Sequence, residues 1–379
     1  MKTINRRQWL KHSAAVSAAL GVFLLAGFED ATIPEDINEE DEVRRLLYNE
    51  NHLGPDGSVK KVIREVLHRS NRYATFFSYD AKALKQLIAE QEGLSPENVL
   101  LGHGSFEPLL WLATHLGSKG EHIIVPSPTF DVVGLFARKI GAEVTPVEVG
   151  PDFKMNLDDM EARIAGKTSL LTLCNPNNPT GTNVEPGRLR SFCRLASAKT
   201  TVLVDEAYIH YLDSWRTHTM APLIGEGKNI VVTRTFSKIY GMAGLRIGFM
   251  LGPPELIKAM ETKFTLGFPG NMPNSLSVAS AIAALRNNTF VTSSQKKNSA
   301  IRSAFYRELD TLQLKYMRSN TNFVYFDVTD FKAYKALMWK HKILLAGGWP
   351  TKPNWARVTM GADRDMEYLL DKMKGKKWL

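Results

Sequence analysis

The sequence predicts an α/β protein: a large unit with a mostly parallel sheet between two helical layers, then a smaller α/β unit. Three observations carry this. Short runs rich in Val, Ile and Leu recur between helical patterns, as in "HIIVPS", "TSLLTLC", "TTVLVD" and "NIVVT". They are continuously apolar rather than alternating, the pattern of strands buried on both faces. Polar residues with usable chemistry follow them directly, where functional groups gather in open α/β sheets.

The elements follow in order. Residues 1–30 read as a signal segment, with Lys2, Arg6, Arg7 and Lys11 ahead of an apolar run from Ala14 to Gly27. That run is short for a membrane span. The paired Arg6 and Arg7, followed by Trp9, Leu10 and Lys11, resemble a twin-arginine export signal. An ordinary secretory signal or an uncleaved anchor is the alternative. The expectation is a periplasmic or exported protein handled by the twin-arginine machinery, without a stable span unless the leader stays on as a tether. Residues 31–70 read as an N-terminal arm and part of the small unit, acidic and then turn-rich, with a helical pattern from Ser58 to Ser70.

Residues 71–275 hold the large unit. "NVLLGHGSFEPLLWLATHLG" reads as strand, Gly-Ser turn and helix; "HIIVPSPTFDVVGLFARKIGAEVTPVEV" as strand, turn, helix and strand. "TSLLTLCNPNNPTG", "TTVLVDEAY" and "NIVVTRTFSK" are strands that each end in polar residues. Residues 276–379 form the smaller unit. It has a helix in "SLSVASAIAALRNN", a longer one from about Phe290 to Leu312, a strand "NFVYFDV", a helix near "FKAYKALMWKHK" and a strand "WARVTMG". Lys372, Lys374, Lys376 and Lys377 read as a basic tail.

Composition narrows the function. The chain of 379 residues, 44% hydrophobic and 23% charged, is long enough for two cores. The formal charge of +9 is concentrated at the leader and the tail, so no nucleic-acid surface is read from it. Only Cys174 and Cys193 occur, too few for a disulfide framework. No metal-ligand spacing, nucleophile elbow or kinase loop is present.

The stretch "TRTFSKIYGMAGLRIGF" brings Lys238 and Arg246 to the end of a buried strand amid Gly241, Gly244 and Gly248. Buried cations need a counter-charge, from the protein or from an anionic ligand. Asn178, Asp205, Tyr208, Lys238 and Arg246 all follow strands, and the Gly102–Ser105 turn opens a helix whose N–H groups suit a phosphate. Ser237 and Arg246 suit it too. Taken singly, each feature has a bland reading as a turn, a loop or a cap. The set in this order does not.

That order resembles the fold-type I pyridoxal-phosphate enzymes, the class I and II aminotransferases, over nearly the whole chain after the leader. "NPNNPTG", "VDEAY" and "SK…GLRIGF" carry the resemblance. "YNENHLGPDG", "NRYATFF", "LGHGS" and "ARVTMG" are most similar to the histidinol-phosphate aminotransferase branch. The resemblance implies pyridoxal 5'-phosphate held by Lys238 as a Schiff base, and the same lysine as proton carrier. It implies Asp205 at the pyridine nitrogen, Asn178 and Tyr208 at the phenolic oxygen, and Phe130 on the ring face. The cofactor phosphate falls to Gly104, Ser105, Phe106, Ser237 and Arg246, with Tyr73 from a neighbouring subunit of a homodimer. Arg357 matches the grip on the substrate α-carboxylate, and Asn51 and Leu53 the mouth of the site.

The implied reaction passes an amino group from an amino acid, or a histidinol-phosphate-like amine, to a 2-oxo acid. A decarboxylase or carbon–sulfur lyase on the same scaffold is the alternative, and a non-catalytic cofactor-binding protein a further one. The chain departs from the branch at His52 and His103, which take no role here. It also departs at Ala346, where the branch tends to carry an arginine, and near Tyr368, where another arginine is missing. Those two losses point to a substrate without a phosphate.

Overall fold

A computed structural model describes residues 42–71, 78–265 and 273–374. The leader, Tyr73, Lys376 and Lys377 lie outside the described residues. In chain order the strands are β1 (Arg44–Arg45), β2 (Val99–Gly102), β3 (His122–Ser127), β4 (Glu143–Glu148), β5 (Thr168–Cys174) and β6 (Thr201–Asp205). They continue as β7 (Ile230–Thr235), β8 (Gly248–Leu251), β9 (Phe323–Asp327), β10 (Ile343–Leu344), β11 (Ala346–Trp349) and β12 (Lys352–Thr359).

The large sheet has the order β2-β8-β7-β6-β5-β3-β4. β8 runs antiparallel to β2 and β7, and every other neighbouring pair is parallel. Side chains alternate across it. Leu170, Leu203 and Val231 enter one core, with Leu109 and Leu112 of the helix Phe106–Leu116 and Met260 of the helix Pro254–Thr265. Their neighbours Leu171, Val202, Val204, Ile230 and Val232 enter the other. There they meet Leu84 and Ile88 of the helix Ser78–Glu92 and Leu189 of the helix Pro186–Ala196. Both faces are buried, which is why these strands carry no polar alternation. Each fully buried Val or Leu contributes about 1.5–3 kcal/mol of burial free energy. The three-layer α/β/α architecture expected from the sequence is the observed one.

The helix Ser275–Leu285 places Val278, Ala281 and Ala284 in the large-sheet core, so it does not belong to the C-terminal unit expected from residue 276. The smaller unit pairs β11, β12 and β9 antiparallel, while β1 joins β10 in parallel. Its core gathers Leu46, Phe305, Phe326, Tyr334 and Met338. The basic tail needs a correction. Lys372 lies in the last turn of a helix, Asp363–Met373, whose Met366, Leu369 and Met373 pack into that core. Their spacing of three and four residues puts them on one helix face, and a lysine at the C-terminal end complements the helix dipole.

Candidate active site

The parallel strands of the large sheet end along one edge, and the loops beyond them hold the polar groups. Cys174 pairs with Asp205 and Asp205 with Thr233 in the ladder, so β5, β6 and β7 finish at one level. Asn178 follows β5, Tyr208 follows β6, and Ser237 and Lys238 follow β7. Phe130 follows β3 and lines a small crevice together with Cys174, Leu203 and Asp205. Thr129 ties its loop to the next one, donating to Asn177 Oδ1 at 2.7 Å.

The turn after β2 is shaped for an anion. Gly104 has φ +75°, and a Cβ there would lie 2.5 Å from Arg246 Nη2. Only glycine lets the guanidinium lie against this turn. Arg246 donates to Ser237 Oγ at 3.3 Å and to the carbonyls of Ala243 and His103. Ser105 stands at the N-cap of the helix Phe106–Leu116, yet its side chain makes no capping bond. The N-terminus of this eleven-residue helix, with its free N–H groups, adjoins the turn against which Arg246 lies.

Lys238 Nζ donates to the Tyr48 carbonyl at 2.8 Å and lies 5.6 Å from the Tyr208 ring centre. Removal from water, then the Arg357 cation, pulls its pKa down to about 7, against the opposing pull of Glu50. Asp205 is buried, and its Oδ1 accepts from Thr233 Oγ1 at 3.0 Å and from Ala207 N at 3.2 Å. Burial raises its pKa to about 6 despite those bonds. Tyr208 accepts from Asn49 Nδ2 at 2.8 Å and sits edge-on to Phe323. Burial pushes its phenol well up.

Arg357, on β12, is 5% exposed. It donates to Asn178 Oδ1 and to the Leu47 carbonyl, while its Nε has no partner. Phe323 and Trp349 flank the guanidinium at 5.3 and 5.5 Å. Among the described residues no carboxylate lies within ion-pair distance of it. Burial lowers its pKa to about 10. A buried guanidinium without an anion is costly, and its planar fork matches a carboxylate.

The structure thus brings together Gly104, Ser105, Phe106, Phe130, Asn178, Asp205, Tyr208, Ser237, Lys238, Arg246 and Arg357. Asn51, expected at the mouth, is hydrogen-bonded beside the Lys238 loop. Its amide nitrogen donates to the Ile239 carbonyl at 2.8 Å, and its Oδ1 accepts from Leu53 N at 3.1 Å. It ties the N-terminal arm to the loop carrying Lys238, and Leu53 is half-buried beside it. Gly241, at φ +66°, makes that approach possible, since a Cβ there would meet the Gly54 carbonyl. Tyr73 lies outside the described residues.

Sequence reasoning missed Leu47, Tyr48 and Asn49, which reach Arg357, Lys238 and Tyr208. The one available signal was a polar "NEN" after an apolar pair. It also missed a buried network. Arg234 Nη1 meets Glu92 at 2.6 Å and its Nε meets Glu206 at 2.9 Å. That pair of bonds anchors the residue next to Asp205.

The family model for aminotransferase class I and II matches residues 43–373. A histidinol-phosphate aminotransferase of Moorella thermoacetica is 32% identical over 86% of this chain and 83% of its own. Another, from Cupriavidus pinatubonensis, is 33% identical over 85% of each chain. Among solved structures, a protein from Erwinia carotovora atroseptica superposes with a TM-score of 0.83 at 28% identity, covering 89% of this chain and 98% of that one. The Sinorhizobium meliloti histidinol-phosphate aminotransferase, solved with pyridoxal-5'-phosphate, gives 0.76 at 26% identity, covering 87% and 89%. These relatives favour transamination over the decarboxylase or lyase alternative. With a match this long to the family model, the chain belongs to the class I and II aminotransferases, enzymes that depend on pyridoxal phosphate.

Proposed function

We propose that the chain transaminates free amino acids that carry no phosphate, with Lys238 as the cofactor-bearing and proton-moving residue. The observation that carries the reading is Arg357, a buried cation with no carboxylate within ion-pair distance among the described residues. An amino acid and a 2-oxo acid share one feature that satisfies it, the α-carboxylate. Ala346 is buried and pairs with Arg357 across the ladder. An arginine belongs there in the branch that recognises a phosphorylated side chain, so the alanine favours a free one.

The residues present fit pyridoxal phosphate. The Gly104 cradle, Ser105, Phe106, Ser237 and Arg246 suit its phosphate. Asp205 is a buried carboxylate suited to a protonated ring nitrogen, Phe130 offers a stacking face, and Asn178 and Tyr208 suit the phenolic oxygen. When bound, the cofactor supplies an electron sink for charge at the substrate α-carbon. The protein does the rest. Arg357 grips the carboxylate and so sets which α-carbon bond is presented. Lys238, with a pKa near 7, both accepts and returns a proton at Nζ under neutral conditions. A cation against Asp205 opposes the rise that burial causes in its pKa and holds the carboxylate charged.

The proposal includes a homodimer, with Tyr73 of one subunit reaching the other's cofactor phosphate. It also includes loading in the cytosol before export as a folded protein, with the leader removed or kept as a tether. A donor screen on purified holo-protein, read by cofactor absorbance, tests the reaction. Turnover of a phosphorylated amine in preference to every free amino acid refutes the substrate reading, and pyruvate release without transamination refutes the reaction. Sedimentation tests the dimer. Replacing Arg6 and Arg7 by lysine and fractionating the cells tests the route.

A further inference from the structure

Asn49 is buried in the N-terminal arm, only 1% exposed, and its Nδ2 donates to Tyr208 Oη at 2.8 Å. Among the described residues this is the one hydrogen bond that the phenol oxygen makes. Three further bonds hold Asn49 still. Its N–H donates to Thr359 Oγ1 at 2.9 Å, and its carbonyl accepts from Asn322 Nδ2 at 3.0 Å. Its Oδ1 accepts from Thr359 Oγ1 at 3.2 Å. Its φ of +57° lies in the left-handed region, which asparagine tolerates better than most residues.

The directions of these bonds fix where the protons point. A carboxamide nitrogen only donates and a carboxamide oxygen only accepts. Thr359 accepts from the Asn49 N–H, so its own proton is free for Asn49 Oδ1. That network assigns the amide with its nitrogen towards Tyr208. The phenol oxygen therefore accepts a hydrogen bond from Asn49, and its own hydrogen has to point elsewhere. No protein acceptor meets that hydrogen among the described residues. Burial pushes the Tyr208 pKa up, and Cys174 and Asp205 push the same way; Arg357 first and the Asn49 bond next pull it back. A hydrogen bond received at the oxygen polarises the O–H and makes it the better donor. Thr359 lies two residues from Arg357 on β12, so the strand that carries the carboxylate grip also orients this amide.

We propose that Asn49 is a positioning residue that holds Tyr208 as a hydrogen-bond donor to the cofactor's phenolic oxygen. The role rests on Tyr208 serving that oxygen. Asn49 acts through the phenol and needs no contact with cofactor or substrate. A hydrogen bond donated to the phenolic oxygen draws charge from it. The less charged oxygen then holds the proton of the nitrogen joining Lys238 to the cofactor less firmly. Tyr208, with Asn49 behind it, thus lowers the pH at which that proton leaves.

A pH titration of the bound cofactor's visible absorbance, in the purified holo-protein, tests this. Tyr208→Phe is expected to raise the midpoint; an unchanged midpoint there refutes the role of Tyr208 and the proposal with it. Asn49→Gly keeps the left-handed backbone and removes the amide. It is expected to raise the midpoint by roughly half a unit to one unit, and to weaken cofactor binding about two- to tenfold by fluorescence titration. In a Tyr208→Phe background the same substitution is expected to add no further shift. Thr359→Val takes away the donor to Asn49 Oδ1 and is expected to move the midpoint the same way, while Thr359→Ser keeps the parent value. A downward shift in Asn49→Gly means that Tyr208 had been donating to Asn49, and overturns the proposal. No shift, or an equal shift in the Tyr208→Phe background, marks Asn49 as structural and overturns it too. With Tyr208→Phe shifted and Asn49→Gly unshifted, the role of Asn49 alone falls. Where Asn49→Gly fails to fold, equal midpoints for Thr359→Val and Thr359→Ser overturn the proposal.

Discussion

Replacing Arg357 by methionine separates the demands of catalysis from those of folding. Methionine keeps much of the length and none of the charge. The Arg357 pKa falls from 12.5 to about 10 on burial, so holding the cation costs about 3 kcal/mol. Removing the cation relieves that cost. It also leaves the Leu47 carbonyl and Asn178 Oδ1 without their donor, at about 1–3 kcal/mol each. The two effects nearly cancel, so the ligand-free variant is expected to melt within about 5 °C of the parent. Activity does not share in the cancellation. A charge-assisted two-point grip on a carboxylate is worth about 3–5 kcal/mol, so kcat/KM for the donor half-reaction is expected to fall by roughly a hundred- to several-thousand-fold. The assay is stopped-flow absorbance of the holo-protein with amino acid, beside calorimetry with and without a dicarboxylate. The dicarboxylate is expected to raise the melting point of the parent only. A variant with near-normal kcat/KM, or one that melts far lower, refutes the reasoning.

Three other outcomes follow from the same groups. Lys238→Ala is expected to fold and bind the cofactor, but borohydride fixes no cofactor to any lysine; a labelled peptide from elsewhere in the parent refutes the assignment. Because burial lowers the Lys238 pKa from 10.5 to about 7, its contribution to ligand-free stability is full above pH 10.5 and is lost as pH falls through 7. Lys238→Met is therefore expected to flatten the pH dependence of melting in that window. Asp205 shifts the other way, from 3.8 to about 6, so its contribution is full below pH 3.8 and lost as pH rises through 6. Asp205→Asn is expected to stabilise the ligand-free protein at pH 7 by up to about 3 kcal/mol while cofactor affinity by fluorescence titration falls more than about tenfold. Arg234→Met strands two buried carboxylates and is expected to cost about 3–5 kcal/mol, with partial recovery when Glu92 and Glu206 become glutamine.

The sequence was legible where one local rule governed. Apolar runs followed by Asn178, Asp205 and Lys238 announced strands and their functional ends, because a sheet buried on both faces leaves polar groups only at its edges. The last helix was misread because four lysines drew attention from Met366, Leu369 and Met373, whose spacing carries the packing. The arm was legible only in outline. Asn49 meets Tyr208 across 159 residues and Leu47 meets Arg357 across 310, and no window-based pattern links such pairs. Asn51 was placed at the mouth by resemblance alone, and its bonds to Ile239 and Ser294 are of the same long-range kind. The Arg234 network had a sequence signal of a kind, an arginine inside an apolar strand. A buried arginine demands partners, but nothing local names Glu92.

Why the chain gathers three cations around one carboxylate has an electrostatic answer. Arg357 and Arg246 both push the Lys238 pKa down, and Asp205 and Glu50 only partly oppose them. Without a ligand, the site holds more positive charge than its own acids balance. Further protein carboxylates would relieve this, as Glu92 and Glu206 do for Arg234. At Arg246 and Arg357 that relief is withheld, and the local donors reach only neutral oxygens. Neutral partners orient a guanidinium without neutralising it, so each arginine keeps its attraction for an incoming anion. The two lie on different elements, Arg246 at the Gly104 turn and Arg357 on the smaller unit's β12. Two separate anions are therefore called for, and a phosphate at the first with a carboxylate at the second meets that need. Lys238 lies under the influence of both. A phosphate near Arg246 weakens one cation's push on its ammonium, and a carboxylate at Arg357 weakens the other's. Each binding event therefore raises the lysine's basicity, so arrival of the substrate favours the lysine as proton acceptor. Burial is the first cause of the lysine's lowered pKa, and wetting the site would return it towards the ordinary range, which makes the burial of these groups part of the chemistry rather than a by-product of packing.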